Sequence, residues 1–218
     1  MPKSRKYKTG GPRRKRRKVS TRLKKVIKSQ ILKSTELKRN DLNLAAYSVP
    51  IGGVSTTHYL TAIATGDSDD NREGTKIKII SVQLRGTITN EDQTGANDTV
   101  CRLILYRARE TVKGVIPGVT EVLDVDSIMS LRDFRVQQEY KVLWDKTFQF
   151  NSSSDGIAQT KSFRKFISIG GLNCNYDGDT NTIADALTGG IFMILMTNMP
   201  DTAQPEWYVN TRVTFKDY

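Results

Sequence analysis

The first residues with recognisable chemistry are the lysines and arginines near the N-terminus, because dense cationic side chains bind phosphate groups. Residues 1–28 contain 14 of them and no acid, with Arg13 to Lys18 as the densest run. Such a segment binds a polyanion by releasing condensed counterions and does not read bases. The predicted nucleic-acid-binding residues are Lys3, Arg5, Lys6, Lys8, Arg13, Arg14, Lys15, Arg16, Arg17, Lys18, Arg22, Lys24, Lys25 and Lys28.

The run of six cations has two further interpretations. Arg13, Arg14, Lys15, Arg16, Arg17 and Lys18 also have the composition of a nuclear localisation signal. The alternative is a solvated basic terminus with no partner, although this charge density exceeds what solubility requires. Like charges repel, so we expect the segment to be disordered alone, while residues 20–33 carry a weak amphipathic helix pattern.

Five other cations are candidates for secondary contacts with nucleic acid, provided that their strand faces point toward it. We expect their phosphate contacts to be joined by aromatics such as Tyr7 and Tyr106, which can stack on unpaired bases. The tryptophans, by contrast, are expected in the core. The five cations are Arg102, Arg107, Arg109, Arg164 and Lys165.

The sequence offers little for catalysis or metal binding. His58 is the only histidine, so any Ser/His/Asp triad would need it, and no Cys/His pair favours zinc. We therefore predict no catalytic residue, no enzyme and no cofactor. Asp177 and Asp179 lie in a loop whose oxygen ligands would suit calcium at a subunit interface, although solvated turns are the simpler interpretation. Cys101 and Cys174 are predicted to be buried free thiols.

The charge is divided unevenly along the chain. Residues 1–40 hold 17 basic residues and one acid, a net charge of +16, whereas residues 41–218 hold 17 basic residues and 22 acids, a net charge of −5. This division predicts a basic arm at residues 1–39 and a folded domain at residues 40–218. No apolar run is long enough to span a membrane, so no membrane insertion is expected.

The elements that must position these residues are strands, because apolar residues beyond residue 40 alternate with a period of two. In residues 80–89, for example, Val82, Leu84 and Ile88 share one face while Gln83 and Arg85 lie on the other. Residues 99–107 and 190–197 are apolar on both faces, which predicts central strands or strands against a neighbouring subunit. Further strands are predicted at residues 42–49, 57–63, 139–150, 161–169 and 206–215.

The connections fit an all-β fold. Residues 170–185 are rich in Gly, Asn and Asp and are predicted to form a loop, and residues 110–136 form a long connection with a short helix near 126–131. Eight strands without alternating helices predict a single eight-stranded antiparallel jelly-roll sandwich with a disordered basic N-terminal arm. An immunoglobulin-like sandwich is the alternative, but it would favour shorter connections.

The order of several motifs resembles one family. The strand that ends in Arg85-Gly86, the strand at residues 100–107 and the basic-aromatic strand at residues 161–167 are similar to those of coat proteins from small circular single-stranded DNA viruses. Residues 140–148, 190–196 and 212–217 extend the likeness. The chain resembles geminivirus-like and circovirus-like coats and, more distantly, satellite necrosis virus coats of RNA systems.

This resemblance implies a self-assembling T=1 shell of sixty copies in the virion. The implied partners are other copies of the chain, a single-stranded DNA genome and a host nuclear import receptor, with assembly in the host nucleus. One alternative is the coat of a single-stranded RNA satellite virus, and another is a nucleic-acid shuttle or chaperone that forms no shell. A ribosomal protein would have a more basic body, and a hydrolase or lectin would need a convergent acidic and histidine site.

Overall fold

The structure is a computed structural model that describes residues 20–34, 36–49, 55–90, 98–110, 114–151, 158–199 and 204–217. The chain divides into two units, residues 1–34 and residues 35–218. In the first unit, helix α1 spans Thr21–Ser34, close to the predicted residues 20–33. Ser20 caps the helix, because its hydroxyl accepts a hydrogen bond from the Leu23 amide at 3.2 Å.

In the second unit, the described residues form nine antiparallel strands. These are β1 (Lys38–Tyr47), β2 (Ser55–Tyr59), β3 (Lys76–Asn90), β4 (Thr99–Ala108), β5 (Tyr140–Phe150), β6 (Gln159–Tyr176), β7 (Ala186–Thr188), β8 (Ile191–Thr197) and β9 (Glu206–Asp217). One sheet has the order β1-β9-β3-β6-β7 and the other β2-β8-β4-β5. First pairs with last and second with second-last, which is the connectivity of a jelly roll. The predicted jelly-roll fold is confirmed.

Alternation along the strands produces the core between the two sheets. Trp207, Phe150 and Phe215 are fully buried there, and the inward residues of β3 pack against them. A second cluster lies on the other face of the four-stranded sheet, around Tyr106 and Phe192, and is covered by residues 119–123. Strands β4 and β8 are therefore apolar on both faces because both are inner strands of a sheet that is covered on both sides.

Three local predictions need correction. The loop prediction is wrong for residues 170–176, which continue strand β6, since Gly170 and Gly171 adopt φ values of 69° and 97° and let the strand bend without ending. The short strand β7 was not predicted. Residues 126–131 form turns instead of a helix, and the only helical turn near them is a 3-10 turn at Val119–Glu121.

The long connection has a hairpin-like structure. Leu123 pairs with Arg132 in an antiparallel bridge, and the Asp124 amide donates to the Leu131 carbonyl at 3.0 Å. The Ser130 hydroxyl accepts from the Val125 amide at 3.0 Å. These hydrogen bonds across the turn replace the i to i−4 bonds that a helix would need, which explains why the predicted helix does not form.

Candidate nucleic-acid interface

Few of the predicted arm residues fall within the described part of the chain. Arg22, Lys24 and Lys25 lie on helix α1 and are exposed. Lys28 belongs to the same helix, but its side chain is not described. Tyr7 and the whole predicted nuclear-localisation run, Arg13 to Lys18, lie outside the described residues. The other predicted contacts outside them are Lys3, Arg5, Lys6 and Lys8.

The cations just after the helix belong to the sheet. Strand β1 begins at Lys38, whose side chain is only 3% exposed. Its ammonium group contacts Glu73 at 2.7 Å and Asp217 at 3.2 Å. Burial alone would lower the pKa of Lys38, but its hydrogen bonds to the two carboxylates outweigh burial and raise the pKa. Lys38 is thus committed to holding β1 in place.

Arg102, a predicted secondary contact, is instead buried on strand β4. Its guanidinium donates to both carboxylate oxygens of Asp145, at 2.9 and 2.8 Å, and to the carbonyls of Ile128 and Ser130, at 2.9 and 2.7 Å. With its donors committed to these partners, Arg102 anchors the long connection to the four-stranded sheet.

The pKa of the Asp145 carboxyl group is lowered by Arg102 and Arg132. Burial acts to raise the pKa of its carboxyl group, but hydrogen bonds and charge from Arg102, together with the charge of Arg132 at 3.4 Å, lower the pKa below its ordinary value. The ion pair is therefore intact at neutral pH. It fixes residues 128–130 against strand β5, which carries Asp145.

The other predicted cations are spread over different surfaces. Arg107 and the exposed Arg109 line a depression at one end of the sandwich, next to Asn173 and Gly189. Lys165 pairs in register with the core residue Leu84, so it lies on the inward side of strand β6. The five candidates thus do not form one surface.

Arg164 lies on the exposed side of the five-stranded sheet, which we call the polar face. Its direct register partner is Arg85 on strand β3, and Arg85 in turn pairs with Asn210 on strand β9. Both arginines are exposed, and neither has a hydrogen bond or ion pair within the described parts of the chain. One row of the polar face therefore presents two neighbouring guanidinium groups.

The next row of the polar face is neutralised. Arg212 donates two hydrogen bonds to Asp41 on strand β1, at 2.7 and 2.6 Å. The hydrogen bonds from Arg212 lower the pKa of Asp41 and outweigh the opposing effect of partial burial. This pair offers a matched comparison with the unneutralised arginine row beside it.

Two large aromatics are exposed on the same face. Phe166, which is 59% exposed, follows Arg164 by two residues on β6 and pairs with Gln83. Tyr208, 39% exposed, pairs with Thr87 on the other side of the arginine row. The sequence prediction missed both and named Tyr106, which is fully buried. The basic-aromatic pattern of residues 161–167, together with the polar face of the strand at residues 80–89, could have predicted the exposure of Phe166.

The other candidate sites carry little chemistry. His58 is half-buried, stacks edge-on against Tyr47 at 4.5 Å between ring centroids, and has its pKa lowered by burial. Asp179, one of the two predicted calcium ligands, accepts a hydrogen bond from the Thr65 hydroxyl at 3.3 Å. Within the residues that the structure describes, no cluster of three or more His, Cys, Asp or Glu side chains fits a metal ion.

Cys101 and Cys174 are both buried free thiols, as predicted. Burial raises the pKa of Cys101 to about 12 and that of Cys174 to about 11. The thiols therefore stay protonated and unreactive at neutral pH. Among the described residues, no helix is both long and apolar enough to span a membrane.

The long connection exposes an unusual amount of apolar surface. Val125, Met129, Leu131 and Phe134 are 55%, 77%, 72% and 79% exposed, respectively. All four belong to the segment that Arg102 anchors. Large exposed apolar side chains grouped in one ordered segment are typical of a protein–protein contact surface.

The jelly roll is an architecture that viral capsid proteins share with lectins and cupins, so the fold alone does not decide between these classes. Residues 10–218 match the family model described as satellite tobacco necrosis virus coat protein. The chain belongs to this family, whose role is structural. The match is to the relative that the sequence resemblance ranked as more distant, and the geminivirus-like and circovirus-like type is not supported.

The other comparisons add less. A search of curated proteins found no match. Among solved structures, the chain is similar to Desmodium yellow mottle tymovirus (TM-score 0.37, 11% identity, 99% of this chain and 92% of that one). It is also similar to tobacco streak virus coat protein (0.30, 10%, 83% and 87%) and to infectious bursal disease virus (0.29, 9%, 84% and 34%).

Proposed function

We propose that the chain is the subunit of a small icosahedral shell and that its basic arm binds the single-stranded RNA genome inside. The observation that carries this proposal is the match to a coat-protein family over residues 10–218, combined with a net charge of +16 in residues 1–40 on a body of −5. The arm supplies cations to a polyanion, and the body supplies contacts between copies.

RNA is the favoured genome because the family is that of a satellite virus coat rather than of the single-stranded DNA type. A DNA genome and entry into the host nucleus through an import receptor are the second candidate, which only the sequence resemblance and the run Arg13 to Lys18 favour. The phosphate chemistry of the arm is the same in both cases. The genome type must therefore be read from the particle.

The charge of the arm is appropriate for a small genome. In a T=1 shell of sixty copies, arms of +16 would carry on the order of a thousand positive charges, enough to neutralise a large part of a small genome's phosphates. Because these contacts do not read bases, packaging depends on total charge more than on residue order.

Contacts between copies of the chain are assigned to the segment around Met129 and Phe134. A coat subunit must bury surface against its neighbours, and closed symmetric contacts reuse the same patches in every copy. These two side chains are 77% and 79% exposed, and Arg102 and Asp145 hold the segment in an ordered conformation. Phe134→Ser should therefore reduce particle formation while leaving the fold intact.

The arm is tested in the full-length chain. In one variant Arg13 to Lys18 are replaced by Gln, and in the matched control the six residues are kept but permuted. Particles are treated with nuclease, and protected nucleic acid is measured by absorbance and identified by ribonuclease or deoxyribonuclease digestion after extraction. The Gln variant lowers the arm from +16 to +10, so we expect it to lose roughly a third of the protected nucleic acid and the permuted control to keep it.

Two outcomes would contradict this proposal. Full protection in the Gln variant would show that the run does not contribute to packaging. Loss in the permuted control would show that sequence, not charge, is recognised. Extraction of protected DNA instead of RNA would transfer the proposal to the second candidate.

A further inference from the structure

We propose that the polar face of the five-stranded sheet is a second nucleic-acid site, which binds one nucleotide of the packaged strand. Its phosphate lies between Arg85 and Arg164, and its base stacks on Phe166. The inference rests on the proposed function, because the ligand is a segment of the genome. It adds a defined contact on the folded body to the contacts of the arm.

The arginine pair is the first argument. Arg85 and Arg164 are direct cross-strand partners on neighbouring strands, so their Cβ atoms are about 5 Å apart. Like charges placed opposite each other destabilise a sheet, and the described part of the chain gives neither guanidinium a carboxylate partner. A bound phosphate would remove this repulsion and accept hydrogen bonds from both groups.

The charge of the surrounding face is the second argument. Strand alternation places basic side chains on the polar face at Arg39, Lys76, Lys78, Arg85, Arg164, Arg212 and Lys216, and acidic ones at Asp41 and Glu206. Seven cations against two acids give the face +5. Six of these cations and both acids lie within residues 41–218, where they sum to +4 although the whole of that segment is −5, so the positive face is a local feature that complements a polyanion.

The aromatics supply the third argument. Phe166 is 59% exposed and lies two residues beyond Arg164, about 7 Å along the strand. An exposed phenylalanine next to exposed arginines is the combination that binds single strands, because stacking tolerates any base. Tyr208 flanks the arginine row on its other side, with its hydroxyl donating to Glu206 at 2.7 Å.

The shape of the face permits such a contact. Arg85, Arg164, Phe166, Asn210 and Arg212 line one depression of about 520 Å³ on the sheet surface. The side chains come from strands β3, β6 and β9, which are held rigidly by their pairing. The phosphate and stacking groups therefore point into the same open space.

The test is photo-crosslinking of full-length protein to a uridine hexamer that carries 4-thiouridine, followed by mass spectrometry of the linked peptides. A thiothymidine DNA hexamer is run in parallel, and a crosslink from either supports the site, while the relative yields report its sugar preference. We expect crosslinks both in residues 1–28 and in the peptide that contains Phe166. Arg85→Gln with Arg164→Gln should reduce the second crosslink at least tenfold and leave the first unchanged.

The matched control is Lys76→Gln with Lys78→Gln, which removes two cations from the same face at the end of strand β3 away from the arginine row. We expect this variant to keep the crosslink at Phe166. The melting temperature of the Arg85 and Arg164 double variant should be no lower than that of the wild type, since the change removes repulsion. Should that variant fail to fold, Phe166→Ala must still abolish the sheet crosslink.

The two proposals fail in different ways. Crosslinks confined to residues 1–28 in the wild type would overturn the sheet site and leave the arm proposal intact. The absence of any crosslink would overturn both. An equal loss in the Lys76 and Lys78 control would show that binding follows the overall charge of the face and not the arginine row, and would also overturn the inference.

Discussion

The buried ion pair between Arg102 and Asp145 makes the sharpest stability prediction. Arg102→Leu removes two hydrogen bonds to the carboxylate, at 2.9 and 2.8 Å, and two to the backbone carbonyls of Ile128 and Ser130. Breaking a buried pair costs about 3–5 kcal/mol, and we expect about 3 kcal/mol because Arg132 still reaches Asp145 at 3.4 Å. For a folded unit of this size, that loss lowers the melting temperature by about 6–12 °C.

The assay is urea unfolding of dilute subunit, followed by tryptophan fluorescence. The control is a double-mutant cycle with Asp145→Leu, in which the double variant should lose much less than the sum of the single losses, since no charge is left unpaired.

Because the pKa of Asp145 is lowered in the folded state, the pair stabilises above the unfolded pKa of about 3.9, and this contribution is lost as pH falls through the folded pKa. The difference between wild type and Arg102→Leu should therefore shrink below about pH 4. A loss under 0.5 kcal/mol at pH 7, on the order of a neutral surface change, would refute this account of the anchor.

Three further outcomes follow from the fold and the polar face. Cys101 and Cys174, with pKa values raised to about 12 and about 11 by burial, should resist alkylation at pH 8 in native protein and react fully in urea; rapid native labelling would contradict their placement. Gly86→Ala should destabilise by about 1–3 kcal/mol, because a Cβ there would clash with the backbone carbonyl of Tyr208 and lie 2.7 Å from the Phe163 ring, and an unchanged urea midpoint would argue against this packing. Asp41→Asn should change the free energy of unfolding by less than about 1 kcal/mol, since its ion pair with Arg212 is half exposed. The same change should strengthen binding of the uridine hexamer, because it releases Arg212, and weaker binding in a titration would count against a cationic face.

Much of the fold could be predicted from local patterns. Alternation along residues 80–89 and 206–215 identified two strands directly. Apolar runs on both faces predicted β4 and β8 to be central strands or strands against a neighbouring subunit, and the first of these is what the sheet order gives. The extension of β6 could not be predicted, because Gly170 and Gly171 resemble a turn until their positive φ values are seen to bend a continuing strand.

The candidate site was less accessible to sequence reasoning. The arm is predicted from composition alone, and the binding role of its cations stays a prediction. The pairing of Arg85 with Arg164 depends on the register between two strands far apart in the chain, and no local pattern encodes that register. The burial of Arg102 was signalled by its position in a strand that is apolar on both faces, where an arginine requires a buried partner.

The central claim is that the body of this chain builds a closed shell and that its arm binds nucleic acid inside that shell. Electron microscopy of the purified full-length protein tests this claim most directly. We expect uniform spherical particles with dense, nuclease-protected interiors. Protein that remains monomeric at low ionic strength in the presence of single-stranded nucleic acid would contradict the claim.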